Sequence, residues 1–277
     1  MVSCPVITLL TDFGLEDPYV GVLHGVLLQR LPTARVVDLT HGVPPGDVRV
    51  AGFYWARSVE WFPHGTVHVA VVDPGVGTAR GVVAAEIGGH RFIAPDNGLI
   101  GEVWAGASLG ERRAVLVDVF APALGLSLRS RTFHGRDVFA PLGAWLASGA
   151  SISELGAPLA EPQPAPPSGV TREEDPAGSI KFLAEIIRVD RFGNAITALS
   201  PQRWCPKVLE HPERFVVEVS GRRLPLVRTY ADVTPGAACG LISSFDTLEI
   251  AARDARAVDV LPGLGVGSVV RLFLANS

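Results

Sequence analysis

The chain has few cysteines and very few lysines. Its three cysteines (Cys4, Cys205 and Cys239) are far apart and form no C-x-x-C pair. This spacing argues against a disulfide scaffold or a zinc site and favours a reducing, cytoplasmic compartment. Lysine occurs only at Lys181 and Lys207, the net charge is −4, and no basic run stands out. We therefore expect no nucleic-acid partner.

Long hydrophobic runs are also missing. Apolar residues make up 48% of the 277 residues, yet no window approaches 18 uninterrupted apolar residues, so no membrane span is expected. The first five residues carry no basic segment, and the apolar stretch at 6–10 is therefore predicted to be a strand rather than a signal peptide. The apolar content is typical of buried parallel strands, and the length suits one large domain or two modest ones.

The first part of the chain alternates strand and helix patterns. This alternation predicts an α/β domain over residues 1–156, with a mostly parallel sheet flanked by helices. The predicted strands are 6–10, 34–39, 66–72, 82–87, 91–94 and 114–119, and the predicted helices are 19–31, 47–61 and 137–148.

The composition changes after this domain. Residues 157–178 contain six prolines and a charged R-E-E-D run, which predicts an exposed linker. Helical periodicity stops beyond it, and β-rich runs follow in a smaller domain over residues 179–277. A β-barrel is the economical prediction for that domain. Its predicted strands are 183–189, 215–219, 223–227, 248–251 and 268–274.

Three short segments carry chemically active side chains beside glycines, where strands are expected to end. They are T-D-F-G at 11–14, V-D-P-G-V-G-T-A-R at 72–80 and T-F-H-G-R-D at 132–137. Such turns are where α/β proteins usually build their sites. Spacing alone leaves structural roles open: Asp73 could cap a turn, Arg80 could be solvated, and His134 could be a satisfied, partly buried histidine.

Seven motifs in one order sharpen this interpretation. They are T-D-F-G-x-x-D (11–17), D-L-T-H (38–41), V-D-P-G-V-G-T-x-R (72–80), A-P-D-N-G (94–98), T-F-H-G-R-D-x-F-A-P (132–141), D-x-F-G-N (190–194) and S-x-x-x-L-E-I-A (244–251). Together they span both predicted domains. The chain resembles the S-adenosyl-L-methionine (SAM) hydrolases that form adenosine, also called SAM hydroxide adenosyltransferases. These are the water-using relatives of the SAM fluorinases and chlorinases.

The resemblance implies a fold, an assembly and a reaction. Family members have an N-terminal α/β domain and a C-terminal β-barrel, and they form homotrimers with active sites between subunits. The reaction is displacement at C5′ of SAM by water or hydroxide, giving adenosine and L-methionine. SAM is the substrate, so the resemblance implies no cofactor and no metal.

The resemblance also assigns roles to residues. By motif, Asp73, Arg80 and His134 form the catalytic trio that activates the water, and which of Asp73 and His134 accepts the proton stays open. Tyr230 is a candidate aromatic face for adenine, with ordinary barrel core as its alternative. The other expected substrate contacts are Asp12 with the ribose hydroxyls, Asp17 and Asp190 with the methionine ammonium, Asn194 with adenine, and Ser244 and Phe245 with methionine and the nucleoside.

Some positions depart from the family pattern. Residues 255–258 read Ala-Arg-Ala-Val where Gly-Asn-Ala-Ala is common, Ser243 replaces Asn, and Asp246 replaces Gly; side-chain contacts to adenine near 255–258 are therefore in doubt. His41 lies in a family motif, but we expect it to be structural.

Two alternative functions remain. The first is a halogenase of the same fold, although halide-using relatives lack the trio and carry an aromatic residue in the loop after D-L-T-H, where this chain has Gly46. The second is a SAM- or adenosine-binding protein without turnover.

Overall fold

The computed structural model describes residues 4–174, 176 and 179–275. The chain divides into two compact units, Met1–Pro166 and Pro167–Ser277. Among the described residues, no helix combines the length and the apolar character needed to cross a bilayer.

The N-terminal unit is built on a seven-stranded sheet with the order β2-β1-β3-β5-β4-β6-β7. The strands are β1 (Val6–Thr11), β2 (Arg35–Thr40), β3 (Val67–Val71), β4 (Val82–Ile87), β5 (His90–Pro95), β6 (Arg112–Val117) and β7 (Gly156–Leu159). The helices are α1 (Tyr19–Arg30), α2 (Val48–Ser58), α3 (Gly101–Gly106) and α4 (Ala140–Ala147).

The α/β fold class is confirmed, but only half of this sheet is parallel. Strands β2, β1, β3 and β5 are parallel neighbours, whereas β4 pairs antiparallel with both β5 and β6, and β6 pairs antiparallel with β7. The physical reason is the turn at Gly88 and Gly89, where both residues have positive φ. Such a turn reverses the chain directly, so β4 and β5 form a hairpin instead of a crossover.

The predicted helical periodicity of α1 is confirmed by its packing. Val20, Leu23 and Leu27 are its buried residues, and they follow the i, i+3, i+7 spacing of one helix face. Leu23 and Leu27 join the core with β1 residues such as Ile7 and Leu9. Full burial of each such side chain contributes about 1.5–3 kcal/mol, and this packing fixes α1 against β1 and β3, the strands that lead into the first two motifs.

The C-terminal unit is a closed barrel of seven strands, with an eighth strand outside the ring. The strands are β8 (Val170–Glu174), β9 (Ile180–Val189), β10 (Ala195–Thr197), β11 (Phe215–Val219), β12 (Arg222–Val227), β13 (Ala238–Ile242), β14 (Leu248–Ala252) and β15 (Val269–Leu274), with short helices α5 (Pro201–Trp204), α6 (Lys207–Glu210) and α7 (Ala257–Val260). Pairing of β10 with both β14 and β9 closes the ring. Closure leaves no free edge among the ring strands.

The segment predicted as a linker contributes to both units. It supplies most of β7, which pairs with β6, and all of β8, which pairs with β9. Between these two strands, residues 160–169 lie outside helices and strands.

Candidate active site

The second motif forms a tight loop directly after β3. Asn97 Nδ2 donates a 2.9 Å hydrogen bond to the carbonyl of Val72, which holds the backbone just before Asp73. The loop then turns at Gly77, whose φ is +79°, and a Cβ there would lie 2.9 Å from the carbonyl oxygen of Arg131. Glycine is thus required at this position, and the turn brings Arg80 back towards Asp73.

Asp73, Arg80 and His134 are in direct contact. Arg80 Nε lies 3.0 and 2.9 Å from the two carboxylate oxygens of Asp73, and Arg80 Nη2 also donates to Asp73 Oδ2. The same Nη2 lies 2.8 Å from His134 Nδ1. The Asp73 and Arg80 side chains are only 5% and 11% exposed. A planar guanidinium that holds a carboxylate through several N–H bonds fixes the position of that carboxylate.

The arginine also determines the proton position on His134. A guanidinium only donates hydrogen bonds, so His134 Nδ1 must be the acceptor and a neutral ring carries its proton on Nε2. Burial and the positive charge of Arg80 lower the pKa of His134, while the charges of Asp73 and Asp137 act in the opposite direction. The imidazole is therefore neutral at neutral pH.

His134 is positioned by the chain segment that follows it. A π-helical turn over Gly135–Phe139 starts at the next residue and continues into α4, and such turns are frequent at functional sites. Within it, Asp137 Oδ2 accepts from the backbone N–H of Ser130 at 2.8 Å, and Asp137 Oδ1 accepts from Arg136 Nε at 2.7 Å. Burial acts to raise the pKa of Asp137, but these hydrogen bonds lower it overall.

Asp12 is fixed at the end of β1. Its Oδ2 accepts a 2.7 Å hydrogen bond from the N–H of Gly46. The preceding Thr11 is fully buried, and its Oγ1 lies 2.8 Å from His41 Nδ1. The His41 carbonyl in turn accepts from the N–H of Gly14 at 2.9 Å. These contacts give His41 a structural function, because they hold the loop that carries Asp12.

One cavity of about 530 Å³ brings these groups together. Its lining includes Asp12, Asp73 and His134 from three separate motifs. Three aromatic residues, Phe13, Tyr19 and Phe133, line it too, and sequence reasoning missed them. Two of them lie inside the motifs T-D-F-G and T-F-H-G, so the signal was present. Asp17 is exposed and is not among the lining residues.

In the C-terminal unit, Asp190 and Asn194 form one turn. The backbone N–H of Asn194 donates to Asp190 Oδ1 at 2.8 Å, and Asn194 Nδ2 donates to Oδ2 at 3.2 Å. The second side-chain amide hydrogen and the side-chain Oδ1 of Asn194 make no hydrogen bond among the described residues, whereas its backbone carbonyl accepts from the N–H of Asp190 at 2.9 Å. Gly193 in this turn has φ +85°, and a Cβ there would lie 2.5 Å from that of Arg256. Phe192, also missed from sequence, is 75% exposed in the same turn.

Tyr230 is paired with a buried acid. It is 43% exposed and lies in a 3₁₀ turn, so it is not part of the barrel interior. Its hydroxyl donates to Glu249 Oε1 at 3.1 Å, and Glu249 is only 4% exposed. Burial and the nearby Asp190 charge raise the pKa of Glu249 to about 7, although the bond from Tyr230 acts to lower it. Burial, together with the Glu249 charge, raises the pKa of Tyr230 to about 12.

The remaining expected contacts lie on two loops of the same unit. Ser244 is exposed and Phe245 is partly buried, in a loop where Ser243 N–H donates to the Thr247 carbonyl at 2.9 Å. Residues 255–258 lie against the Asp190–Asn194 turn, since Val258 N–H donates to the Gly193 carbonyl at 3.3 Å. No cluster of three or more His, Cys, Asp or Glu side chains suited to a metal ion occurs among the described residues.

Comparisons with known proteins cover both units. The family model for the SAM hydroxide adenosyltransferase N-terminal domain matches residues 7–156, and the model for the C-terminal domain matches residues 184–271.

Curated relatives match nearly the whole chain. A protein of Thermus thermophilus named (R)-S-adenosyl-L-methionine hydrolase is 43% identical, over 95% of this chain and 98% of its own length. A protein of the same name from Salinispora tropica is 41% identical, over 98% and 99%. A fluorinase of Nocardia brasiliensis is a more distant relative, at 26% identity over 89% of this chain and 90% of its own length.

A solved structure agrees with the fold. The crystal structure of an uncharacterized conserved protein from Thermotoga maritima superposes with a TM-score of 0.83 at 30% identity, covering 96% of this chain and 99% of that one. Domain models, relatives and fold agree over both units, and the chain belongs to the SAM hydroxide adenosyltransferase family.

Proposed function

We propose that this protein hydrolyses SAM to adenosine and L-methionine, by attack of water or hydroxide at C5′. The observation that carries the proposal is that Arg80 contacts both Asp73 and His134, and that these two residues line the same cavity as Asp12. Curated relatives at 41–43% identity bear the name of this hydrolase.

The reaction needs an activated nucleophile more than an acid. The sulfonium of SAM leaves as a neutral thioether, so no proton has to be supplied to the leaving group. A new C5′–O bond forms from the water, and the electron pair of the C5′–S bond goes to sulfur. The water proton must pass to a base, and a positioned base is worth roughly 10²–10⁴-fold in rate.

The geometry favours Asp73 as that base. The Nδ1 lone pair of His134 is directed to Arg80 Nη2 at 2.8 Å, so it is not available to the water. Each carboxylate oxygen has about two lone-pair sites, and Asp73 lines the cavity. In this mechanism Asp73 accepts the proton, while the Nε2–H of neutral His134 donates to the water oxygen and holds it for attack.

The substrate contacts follow the chemistry of each side chain. Asp12 has one oxygen bound to Gly46 N–H and retains the other for the ribose hydroxyls. Asp17 and Asp190 hold the methionine ammonium, and Asn194 offers adenine the donor and acceptor left over from its bond to Asp190. Tyr230, Ser244 and Phe245 complete the contacts with adenine and methionine.

The proposal includes an assembly and a location. On the family resemblance we propose a homotrimer with active sites at subunit interfaces, with SAM as substrate and no cofactor or metal. Light scattering tests the assembly, because a stable and active monomer contradicts it. The free cysteines Cys4, Cys205 and Cys239 support a reducing, cytoplasmic location.

Incubation of the purified protein with SAM in excess chloride tests the reaction. Adenosine and methionine, separated by chromatography, are the expected products. Accumulation of 5′-chloro-5′-deoxyadenosine would instead identify a halogenase, like the more distant fluorinase relatives. Tight SAM binding without methionine release would identify a binding protein.

A further inference from the structure

The aromatic side of the cavity is a compact cluster of three rings. Phe13 follows β1, Tyr19 is the first residue of α1, and Phe133 precedes His134; we call these three residues the aromatic wall. The ring centroids lie 6.0 Å apart for Phe13–Tyr19 and for Phe13–Phe133, and 5.3 Å apart for Tyr19–Phe133. The interplanar angles of 65–79° are the edge-to-face geometry that aromatic pairs prefer, so the wall is held in place by its own packing.

The cavity facing this wall is suited to a positive charge. Its two charged lining residues, Asp12 and Asp73, are both acidic, and no arginine or lysine of the described part of the chain lines it. Because Asp73 is paired with Arg80 behind the lining, Asp12 supplies the negative charge that has no cationic partner among the described residues. The pKa of His134 is lowered, so this side chain adds no positive charge at neutral pH. A cavity with acidic groups and aromatic faces attracts cations through charge and through the ring quadrupole.

One ring of the wall already binds a cation within the protein. The Arg136 guanidinium carbon lies 5.2 Å from the centroid of Phe133, within the distance at which cation–π attraction is significant. The Phe133 ring is thus placed and packed in a way that accommodates positive charge against a face.

We infer that the aromatic wall recognises the sulfonium cation of the substrate and makes the site select SAM over neutral thioethers of the same shape. This inference rests on the proposed function. A sulfonium has no N–H or O–H to donate, so hydrogen-bond acceptors alone cannot identify it. Aromatic faces and nearby carboxylates can, because both respond to its charge. The neutral thioether S-adenosyl-L-homocysteine keeps the adenosine and amino-acid groups but lacks the charge.

The inference has a kinetic consequence. The positive charge on sulfur disappears as the C5′–S bond breaks, so the aromatic wall stabilises bound SAM more than it stabilises the transition state. An interaction of this kind lowers KM without raising kcat. Loss of a ring is therefore expected to raise KM for SAM and to leave kcat undiminished.

The test compares charged and neutral ligands in matched variants. Phe133→Leu and Tyr19→Leu remove a ring while keeping an apolar side chain, and Tyr19→Phe keeps the ring. Phe62→Leu is the control, since Phe62 is also partly buried but packs on His68 away from the cavity. The measurements are KM and kcat for SAM and the inhibition constant of S-adenosyl-L-homocysteine.

We expect the two ring-removing variants to raise KM for SAM about 2- to 30-fold, the factor equivalent to one cation–π contact. The inhibition constant of S-adenosyl-L-homocysteine should change far less. Phe62→Leu should resemble the wild type, and Tyr19→Phe, which keeps the ring, should keep more of the preference for SAM than Tyr19→Leu does. Equal weakening of both ligands, or no change in either, overturns the inference. If Phe133→Leu fails to fold, the Tyr19 pair decides.

Failure of the proposed function is distinguishable from failure of this inference. A wild-type protein that releases no adenosine refutes the hydrolase, and equilibrium binding of SAM and S-adenosyl-L-homocysteine to the same variants still measures selectivity. A hydrolase whose SAM preference survives both leucine variants refutes only the aromatic wall.

Discussion

Each of the two units contains a buried carboxylate, and the two carboxylates have different partners. In the N-terminal unit, Asp73 is 5% exposed but is held by the Arg80 guanidinium. In the barrel, Glu249 is 4% exposed and has only the Tyr230 hydroxyl as a side-chain partner among the described residues, with the Asp190 charge nearby. Burial without a cation raises the pKa of Glu249 to about 7. The two acids are buried to a similar degree, so they differ in the partner that each one has: a guanidinium for Asp73 and a neutral hydroxyl for Glu249.

The largest expected effect comes from removing the Arg80 guanidinium of the N-terminal unit. Arg80→Leu leaves the Asp73 carboxylate buried without a counter-charge, and breaking a buried pair in this way costs about 3–5 kcal/mol. Activity should fall by about 10²–10⁴-fold, because Asp73 loses the guanidinium that holds it in position as the base. Urea unfolding and adenosine release measure the two effects.

A matched double variant separates charge from packing. Asp73→Asn combined with Arg80→Gln removes both charges and should recover much of the lost stability without recovering activity. Equal destabilisation in the single and double variants would contradict the role given to charge compensation.

A smaller effect is expected at His134. The substitution His134→Asn keeps an oxygen that can accept from Arg80 and removes the Nε2–H that holds the water. Loss of correct water placement should lower kcat about 10²-fold. In the wild type, kcat should also fall on acidification below the ordinary histidine pKa of about 6.5, because a protonated Nδ1 cannot accept from Arg80.

The pH–rate profile of the His134→Asn variant is the decisive readout. It should lose the part of the acid limb that arises from the imidazole. An unchanged acid limb in the variant would show that His134 does not control this step.

In the barrel, the corresponding substitution removes the buried acid instead of a cation. Glu249→Gln removes a group whose pKa is about 7 in the fold and 4.5 unperturbed. Between pH 4.5 and about 7, Glu249 is deprotonated in the unfolded chain but still protonated in the folded one. The contribution of Glu249 to the free energy of unfolding therefore falls as the pH rises from about 4.5 to 7, and it does not change further above that. The shift corresponds to about 3 kcal/mol at most. The Glu249→Gln variant should lack this pH dependence of the free energy of unfolding, and it should be more stable than the wild type at pH 7.

Thermal or urea unfolding at a series of pH values checks this prediction. Glu210→Gln, which changes an exposed carboxylate on α6, is the control and should keep the wild-type slope. A Glu249→Gln variant that is less stable than the wild type at pH 7 would contradict an uncompensated acid.

The sequence predicts the elements that have strong periodicity and the residues that lie inside motifs. Helix α1 and the strands before Asp12 and Asp73 follow their patterns closely. Strand β10 was missed because it has three residues, and β13 because its pattern A-C-G-L-I contains an interior glycine. Strand β8 lies outside the closed ring with four exposed residues, so its charged sequence resembles a linker.

In the candidate site too, the sequence predicts residues that lie inside motifs and misses properties that arise from tertiary contacts. Asp12, Asp73 and His134 could be assembled from their motifs, and the structure places all three around one cavity. Glu249 could not be identified as unusual, because its pKa depends on burial produced by barrel closure. The aromatic wall also depends on tertiary contacts, since Phe13 and Phe133 are far apart in sequence and their rings meet only in the folded chain.

The most direct test of the account is the release of adenosine and methionine from SAM by the wild type and by Asp73→Asn, each with SAM binding measured in parallel. We predict adenosine release by the wild type, and in the variant a loss of about 10²–10⁴-fold with SAM binding retained. Undiminished turnover in Asp73→Asn would contradict the assignment of Asp73 as the base, and no release by either protein would contradict the hydrolase itself.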